Sequence, residues 1–171
     1  MKRLHIVLLA ITLVAAMVVP FGVVNAASPQ EDASGSVVLA TTGYDPKIVG
    51  TDELMKGTIY HVVTYTGSVS GTGTEACHMT YNLNSLALAS VGVQTFTGTV
   101  LGKTGTLTLR VAHTGFVALG VEGESIEVEQ TIISGTGELA NLRGTMHFTV
   151  FYHSSDATYR GDYSGKLHFS R

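Results

Sequence analysis

The chain has 171 residues, a formal net charge of −3, 44% hydrophobic and only 13% charged residues, with 20 Gly, 3 Pro and no Trp. That is enough apolar chain for one globular domain, and it excludes a coiled coil, a helical repeat array, a collagen-like chain and a disordered one. Beyond Lys2-Arg3, Lys and Arg occur singly, so no basic stripe can neutralise phosphates and nucleic acid is not an expected partner; the lone cysteine, Cys77, excludes a disulfide scaffold.

The N-terminus reads as an export signal. Met1-Lys2-Arg3 supplies positive charge, Leu4 to Val19 is a long apolar run, and Val24-Asn25-Ala26 places small residues for cleavage after Ala26. Residues 1–26 are therefore expected to be a signal peptide and the protein to be secreted or periplasmic, with no membrane association after cleavage. No cysteine at the junction could carry a lipid anchor. Residues 27–34 (ASPQEDAS) are small and polar, an expected flexible lead-in to a single domain over 35–171.

After Gly35 apolar and polar residues alternate with period two, rich in Thr, Val, Ile and Tyr and punctuated by Gly. This predicts eight strands, at about 36–42, 56–69, 73–83, 91–101, 105–116, 124–133, 143–153 and 157–169. Asn84 to Ser90 has some helical flavour but is too short for a stable helix. SGTGTEA (70–76) and SGTGELA (134–140) read as similar turn segments. Eight meandering strands with one apolar face predict an all-β fold, an eight-stranded antiparallel closed barrel, because closure removes exposed edges. An open sandwich is the alternative.

Two hairpins allow a register to be drawn. Placing Gly102 opposite Gly105 sets Val100 by Leu107, Phe96 by Val111 and Gln94 by His113. Placing Ser154 opposite Ala157 sets Val150 by Gly161, Phe148 by Tyr163 and Met146 by Gly165, so that bulky residues face glycines as a tapering interior requires. His147, Thr149, Arg160, Asp162, Ser164, Lys166 and His168 fall on the solvated face.

The stretch from Gln94 to Phe169 resembles the bacterial domain-of-unknown-function 3224 family. The resembling pieces are FTGTVLGKTGTLTL (96–109), AHTG (112–115), SGTGELANLRGTM (134–146) and YRGDYSGKLHF (159–169), with a looser match through YTGSVSGTGTEA (65–76). The resemblance implies an allene-oxide-cyclase-like or dirigent-like β-barrel, for which homo-oligomers are common. It implies no activity, and no catalytic residue of the distant barrel relatives is carried over.

Chemistry-bearing motifs are few. His147 and His153 share a face but sit six residues apart, too far along a strand for one ion, and no His-x-His or Cys-x-x-Cys occurs, so no metal or cofactor is expected. There is no Gly-x-Ser-x-Gly elbow, and no Lys-Ser/Thr follows the Gly-Thr-Gly segments. Cys77 shares parity with Met79, Tyr81 and Leu83, which reads as a buried, unreactive thiol. Glu127 and Glu129 lie opposite Ile126, Val128 and Ile132, as outward charges that deter edge pairing.

One constellation stands out. Parity and the Gly102 hairpin put Gln94, His113 and Gln130 among apolar neighbours on the inward face, with Tyr65 and Glu75 joining from the early strands. Apolar walls with a few fixed polar groups suit a small apolar or aromatic ligand; the alternative is a self-satisfied structural network. The sequence thus reads as an exported, non-enzymatic ligand-binding barrel. The other readings are an isomerase or cyclase of an apolar substrate, with Glu75 or His113 transferring a proton and Tyr65 orienting, or a surface interaction module.

Overall fold

The computed structural model describes residues 29–49, 53–118 and 120–170. The expected signal peptide lies outside these residues. Eight strands run β1 (Glu31–Val49), β2 (Leu54–Gly67), β3 (Val69–Asn82), β4 (Ala87–Val100), β5 (Lys103–Phe116), β6 (Ser125–Gly137), β7 (Leu142–His153) and β8 (Thr158–Phe169). Each pairs antiparallel with the next, and β1 also pairs antiparallel with β8, closing the sheet into a barrel. Every strand pairs on both sides over part of its length, so closure removes most of the free edge that could template aggregation; among the described residues, β1 beyond Ala40 pairs with β2 alone.

The inward parity is the apolar one. Val37, Leu39, Val63, Tyr65, Phe96, Leu109, Val111, Val128, Phe148, Val150 and Tyr163 are all at most 3% exposed. β1 starts earlier than expected: Glu31 to Ser34, read as part of a polar lead-in, pair with Leu167 to Ser164 of β8. The alternation already operates there, because Ala33 points into the core at 1% exposure. SGTGTEA (70–76) is not a turn but lies inside β3, and the hairpin before it turns at Ser68. Its glycines are selected by space, since Gly71 and Gly73 lie against the Phe96 ring and the Gln94 amide of the neighbouring strand β4.

The last hairpin has the expected register, with Val150 opposite Gly161, Phe148 opposite Tyr163 and Met146 opposite Gly165. The β4–β5 hairpin does not. Val100 pairs with Lys103, Gly98 with Gly105, Phe96 with Leu107 and Gln94 with Leu109, so His113 lies opposite Ser90 and not Gln94. The turn is tighter than a Gly102–Gly105 loop: Leu101 and Gly102 have φ of 50° and 79°, the positive pair of a two-residue hairpin whose twist matches the strands. The shift is even in residue number, so every side chain keeps its face and only its partner changes.

The barrel's two ends differ. The end carrying the β2–β3, β4–β5 and β6–β7 turns is filled by Val69, Val100, Leu107, Leu139, Leu142 and Leu167, each at most 2% exposed. Tyr163 reinforces it: its hydroxyl lies 2.7 Å from the Val69 amide and 3.2 Å from the carbonyls of Thr66 and Val69. The opposite end, with the β3–β4 and β7–β8 turns, is open.

Candidate functional site

The expected polar residues are all buried, but they form two groups at two depths. Deeper lies Tyr65 on β2, whose hydroxyl is 2.9 Å from Oε1 of both Gln94 on β4 and Gln130 on β6. Gln130 Nε2 donates to Gln94 Oε1 at 2.7 Å. Phe96 and Tyr163 pack edge-on against the Tyr65 ring, at 5.7 and 6.0 Å between centroids. Burial pushes the Tyr65 hydroxyl well above its ordinary range, so it stays a neutral donor. Three strands tied by neutral hydrogen bonds in the buried interior make a structural network. Gln94 and Gln130 bond to each other and to Tyr65, which stands where His113 was expected, while Gln94 Nε2 is buried without a hydrogen-bond partner among the described residues.

His113 belongs to the second group, nearer the open end. Glu75 on β3 pairs in register with His61 on β2, and His61 Nδ1 lies 3.0 Å from Glu75 Oε1. His113 on β5 brings Nε2 to 3.3 Å from the same oxygen, while its Nδ1 lies 2.7 Å from Ser90 Oγ. The two imidazoles meet edge-on at 5.7 Å. Cys77 Sγ is 3.4 Å from Glu75 Oε1. All of these side chains are buried, Glu75 at 3% and His113 at 4% exposure. Glu75 Oε2 and His113 Nε2 have no hydrogen-bond partner among the described residues.

The electrostatics follow from this packing. Burial alone would raise the Glu75 carboxyl; the hydrogen bond from His61, together with the positive charge the histidines can carry, outweighs it and holds the group below the ordinary carboxylate range. Burial pushes His113 down to about 4, against the pull of the Glu75 carboxylate. Burial also raises the Cys77 thiol, and Glu75 beside it adds to the effect. The expected inert Cys77 is thus a buried thiol next to an anion, the opposite of a thiolate-stabilising environment.

Above this group the barrel opens into a pocket of about 260 Å³. Its walls include Leu39, Ile59, Met79, Leu88, Ile126 and Val150, with Tyr44, Tyr152 and Tyr159 towards the mouth. His61, Ser90 and His113, with Thr41, supply its polar lining. Tyr152 and Tyr159 pack 5.1 Å apart between ring centroids. Tyr65, Gln94 and Gln130 do not line the pocket; of the expected site residues only His113 does, with Glu75 immediately behind it.

Sequence reasoning missed His61 and Ser90. His61 shares parity with Ile59, Val63 and Tyr65, so the period-two pattern alone places it inside. Ser90 shares parity with Gln94 and Phe96, but the expected β4 began one residue too late to include it. Their signal was polarity at an inward position, the criterion that had found Gln94 and Gln130.

Residues 44–163 match the family described as a protein of unknown function (DUF3224). The match reaches into β1 and so takes in the early strands that resembled the family only loosely. A crystal structure of a protein with unknown function from the DUF3224 family of Shewanella oneidensis MR-1 is 16% identical, with the alignment covering 84% of this chain and 100% of that one at a TM-score of 0.62. At that identity the likeness shows the fold alone. No curated protein matches the chain. The chain belongs to the DUF3224 family.

Proposed function

We propose that this member of the DUF3224 family is an exported barrel domain that binds a small apolar or aromatic ligand in the open end of its barrel. The observation that carries the reading is the pocket of about 260 Å³, walled by aliphatic and tyrosine side chains over a floor of His61, Ser90 and His113. The opposite end and the middle of the barrel are packed with side chains, so space is concentrated where polar groups converge. A ligand there would lose its apolar surface to the walls and direct an oxygen or nitrogen to the floor. Export rests on the charge, apolar run and small-residue order of residues 1–26.

The test is a high-resolution structure of protein isolated from its own host. Ordered density enclosed by Leu39, Leu88 and Ile126 and reaching His113 supports the reading. Solvent alone in the pocket, at full occupancy of the surrounding side chains, counts against it.

A second reading has its own observation. Glu75 is an anion in contact with His61 and His113 directly beneath an apolar pocket, an arrangement able to move a proton on a bound substrate, as an isomerase or cyclase requires. Tyr65 has no part in it, because its hydroxyl is engaged by the two glutamines. Chemical change of a ligand by wild type, lost in Glu75→Gln, would favour this reading; retained binding without turnover favours the first.

A further inference from the structure

We propose that His61, Glu75 and His113 form a site for one divalent transition-metal cation of the zinc class at the pocket floor, with an open coordination position facing the pocket. The three side chains come from β2, β3 and β5 and converge inside the barrel, where one donor atom from each lies within 4.8 Å of the others. Glu75 Oε1 is 3.0 Å from His61 Nδ1 and 3.3 Å from His113 Nε2. Metal–ligand bonds of about 2.0–2.2 Å at tetrahedral angles place neighbouring donors roughly 3.3–3.6 Å apart; the two Glu75–histidine distances are near that spacing, and the two histidine nitrogens, within 4.8 Å of each other, would need only a small closure. Two imidazoles and a carboxylate suit a divalent transition cation, and three protein ligands leave a position for a further donor.

The polar atoms facing one another here are incompletely satisfied. Glu75 Oε2 and His113 Nε2 are buried without hydrogen-bond partners among the described residues. No Lys or Arg among those residues pairs with Glu75; its ionic neighbours are the two histidines alone. A buried carboxylate facing a lone imidazole nitrogen is costly, and a cation between them satisfies both. The outer contacts also fit. Ser90 Oγ holds His113 Nδ1 at 2.7 Å, which fixes the ring with Nε2 towards Glu75, as a hydrogen-bonded second nitrogen does for a metal-bound histidine. Metal binding at His61 Nδ1 requires that nitrogen to give up any hydrogen it donates to Glu75 Oε1, by a shift of a neutral ring to the Nε2–H tautomer or by loss of the extra proton of an imidazolium to solvent. The open position would meet the oxygen or nitrogen head of a molecule seated in the pocket.

The site was not legible along the chain, because its histidines are far apart in sequence and only the closed barrel brings them together. It is independent of the ligand reading, since cation binding is measured with no organic ligand present, and an apolar probe can bind with no metal present.

The experiment titrates chelator-treated full-length protein with Zn2+ alone by calorimetry and with Co2+ alone by visible absorption. Expected is saturation at one cation per chain, Co2+ bands of a low-coordinate nitrogen–oxygen site, and affinity lowered about tenfold or more in Glu75→Gln and in His113→Gln. The double variant His147→Gln/His153→Gln, which removes two exposed histidines, should bind as wild type does. Should a triad variant fail to fold, Co2+ broadening of NMR signals in wild type decides: broadening centred on Ser90 and Cys77 upholds the site, and broadening centred on β7 overturns it. Absence of saturable binding by wild type, unchanged binding in folded Glu75→Gln, or loss of binding in the β7 double variant would each overturn it.

Discussion

Gly73 and Gln94 share one volume of the barrel interior: a Cβ built on Gly73 would overlap the Gln94 amide that its neighbouring strand lays across it. The absent side chain on β3 is what lets Gln94 lie flat beneath Tyr65. Gly73→Ala is therefore expected to displace Gln94, break its bonds to Tyr65 and Gln130, and destabilise the fold by about 1–3 kcal/mol. Chemical denaturation of the variant beside wild type measures this. A change within error of zero would mean that the Gln94 side chain has another well-bonded position.

Tyr65→Phe removes the hydroxyl shared by Gln94 and Gln130 and leaves their amides short of a partner. The expected cost is about 1–3 kcal/mol in a denaturant melt. Because Tyr65 does not line the pocket, affinity for an apolar dye should not change. Loss of dye binding with unchanged stability would return Tyr65 to the ligand site.

In the last hairpin, bulky residues alternate with glycines across two strands. Gly165 sits against Met146, and a Cβ there would crowd the Met146 side chain and the Thr145 carbonyl. Gly165→Leu should overpack this layer and cost about 1–3 kcal/mol, whereas outward Ser164→Thr should stay within about 0.5 kcal/mol of wild type. Equal effects in paired melts would contradict the facing assignment.

That hairpin also shows what the sequence could and could not say. Its register was legible because Met146, Phe148 and Val150 demand small or ring partners, and only one alignment with Gly161, Tyr163 and Gly165 provides them. The β4–β5 register was not, because Phe96, Gly98 and Val100 face Leu107, Leu109 and Val111 acceptably at any even shift. Turn geometry alone decides there, through positive φ at Leu101 and Gly102, and Leu101 gives no sign of that in its chemistry. The same four-residue shift explains why Gln94 and His113 were correctly placed inside yet wrongly paired. Convergence of His61, Glu75 and His113 lay beyond reach, since the His61–Glu75 pair needs the β2–β3 register and His113 joins it from β5, a strand that does not neighbour β3.

Acid should loosen the β7–β8 turn before the barrel. Glu122 accepts from both the amide and the hydroxyl of Ser154, at 2.6 and 2.7 Å, with His153 beside it. These bonds hold its carboxyl below the ordinary value. A carboxyl depressed in the folded state stabilises it above the unfolded value near 4.5, and this contribution is lost as pH falls through the lower folded value. NMR titration should show Glu122 and the Ser154 amide moving together below pH 4.5, with the Ser154 response absent in Glu122→Gln. A Glu122 midpoint at or above 4.5 would show the bonds to be absent in solution.

Cys77 is fully buried against Glu75 and beneath Gly92. A thiol reagent should modify it slowly in the folded protein and rapidly in denaturant, as followed by intact mass. Rapid stoichiometric labelling of folded protein would show that the floor of the pocket opens to solvent.

By the proposed function, the open end of the barrel receives a small apolar molecule. Titration of wild type and Leu88→Trp with an apolar fluorescent dye tests it most directly, because Leu88 lines the pocket and a larger ring there takes up the space. The expected result is saturable binding of one dye per wild-type chain and an affinity about tenfold or more weaker in Leu88→Trp, with both proteins melting alike. Equal affinity in the two proteins, or no saturable binding by wild type, would contradict it.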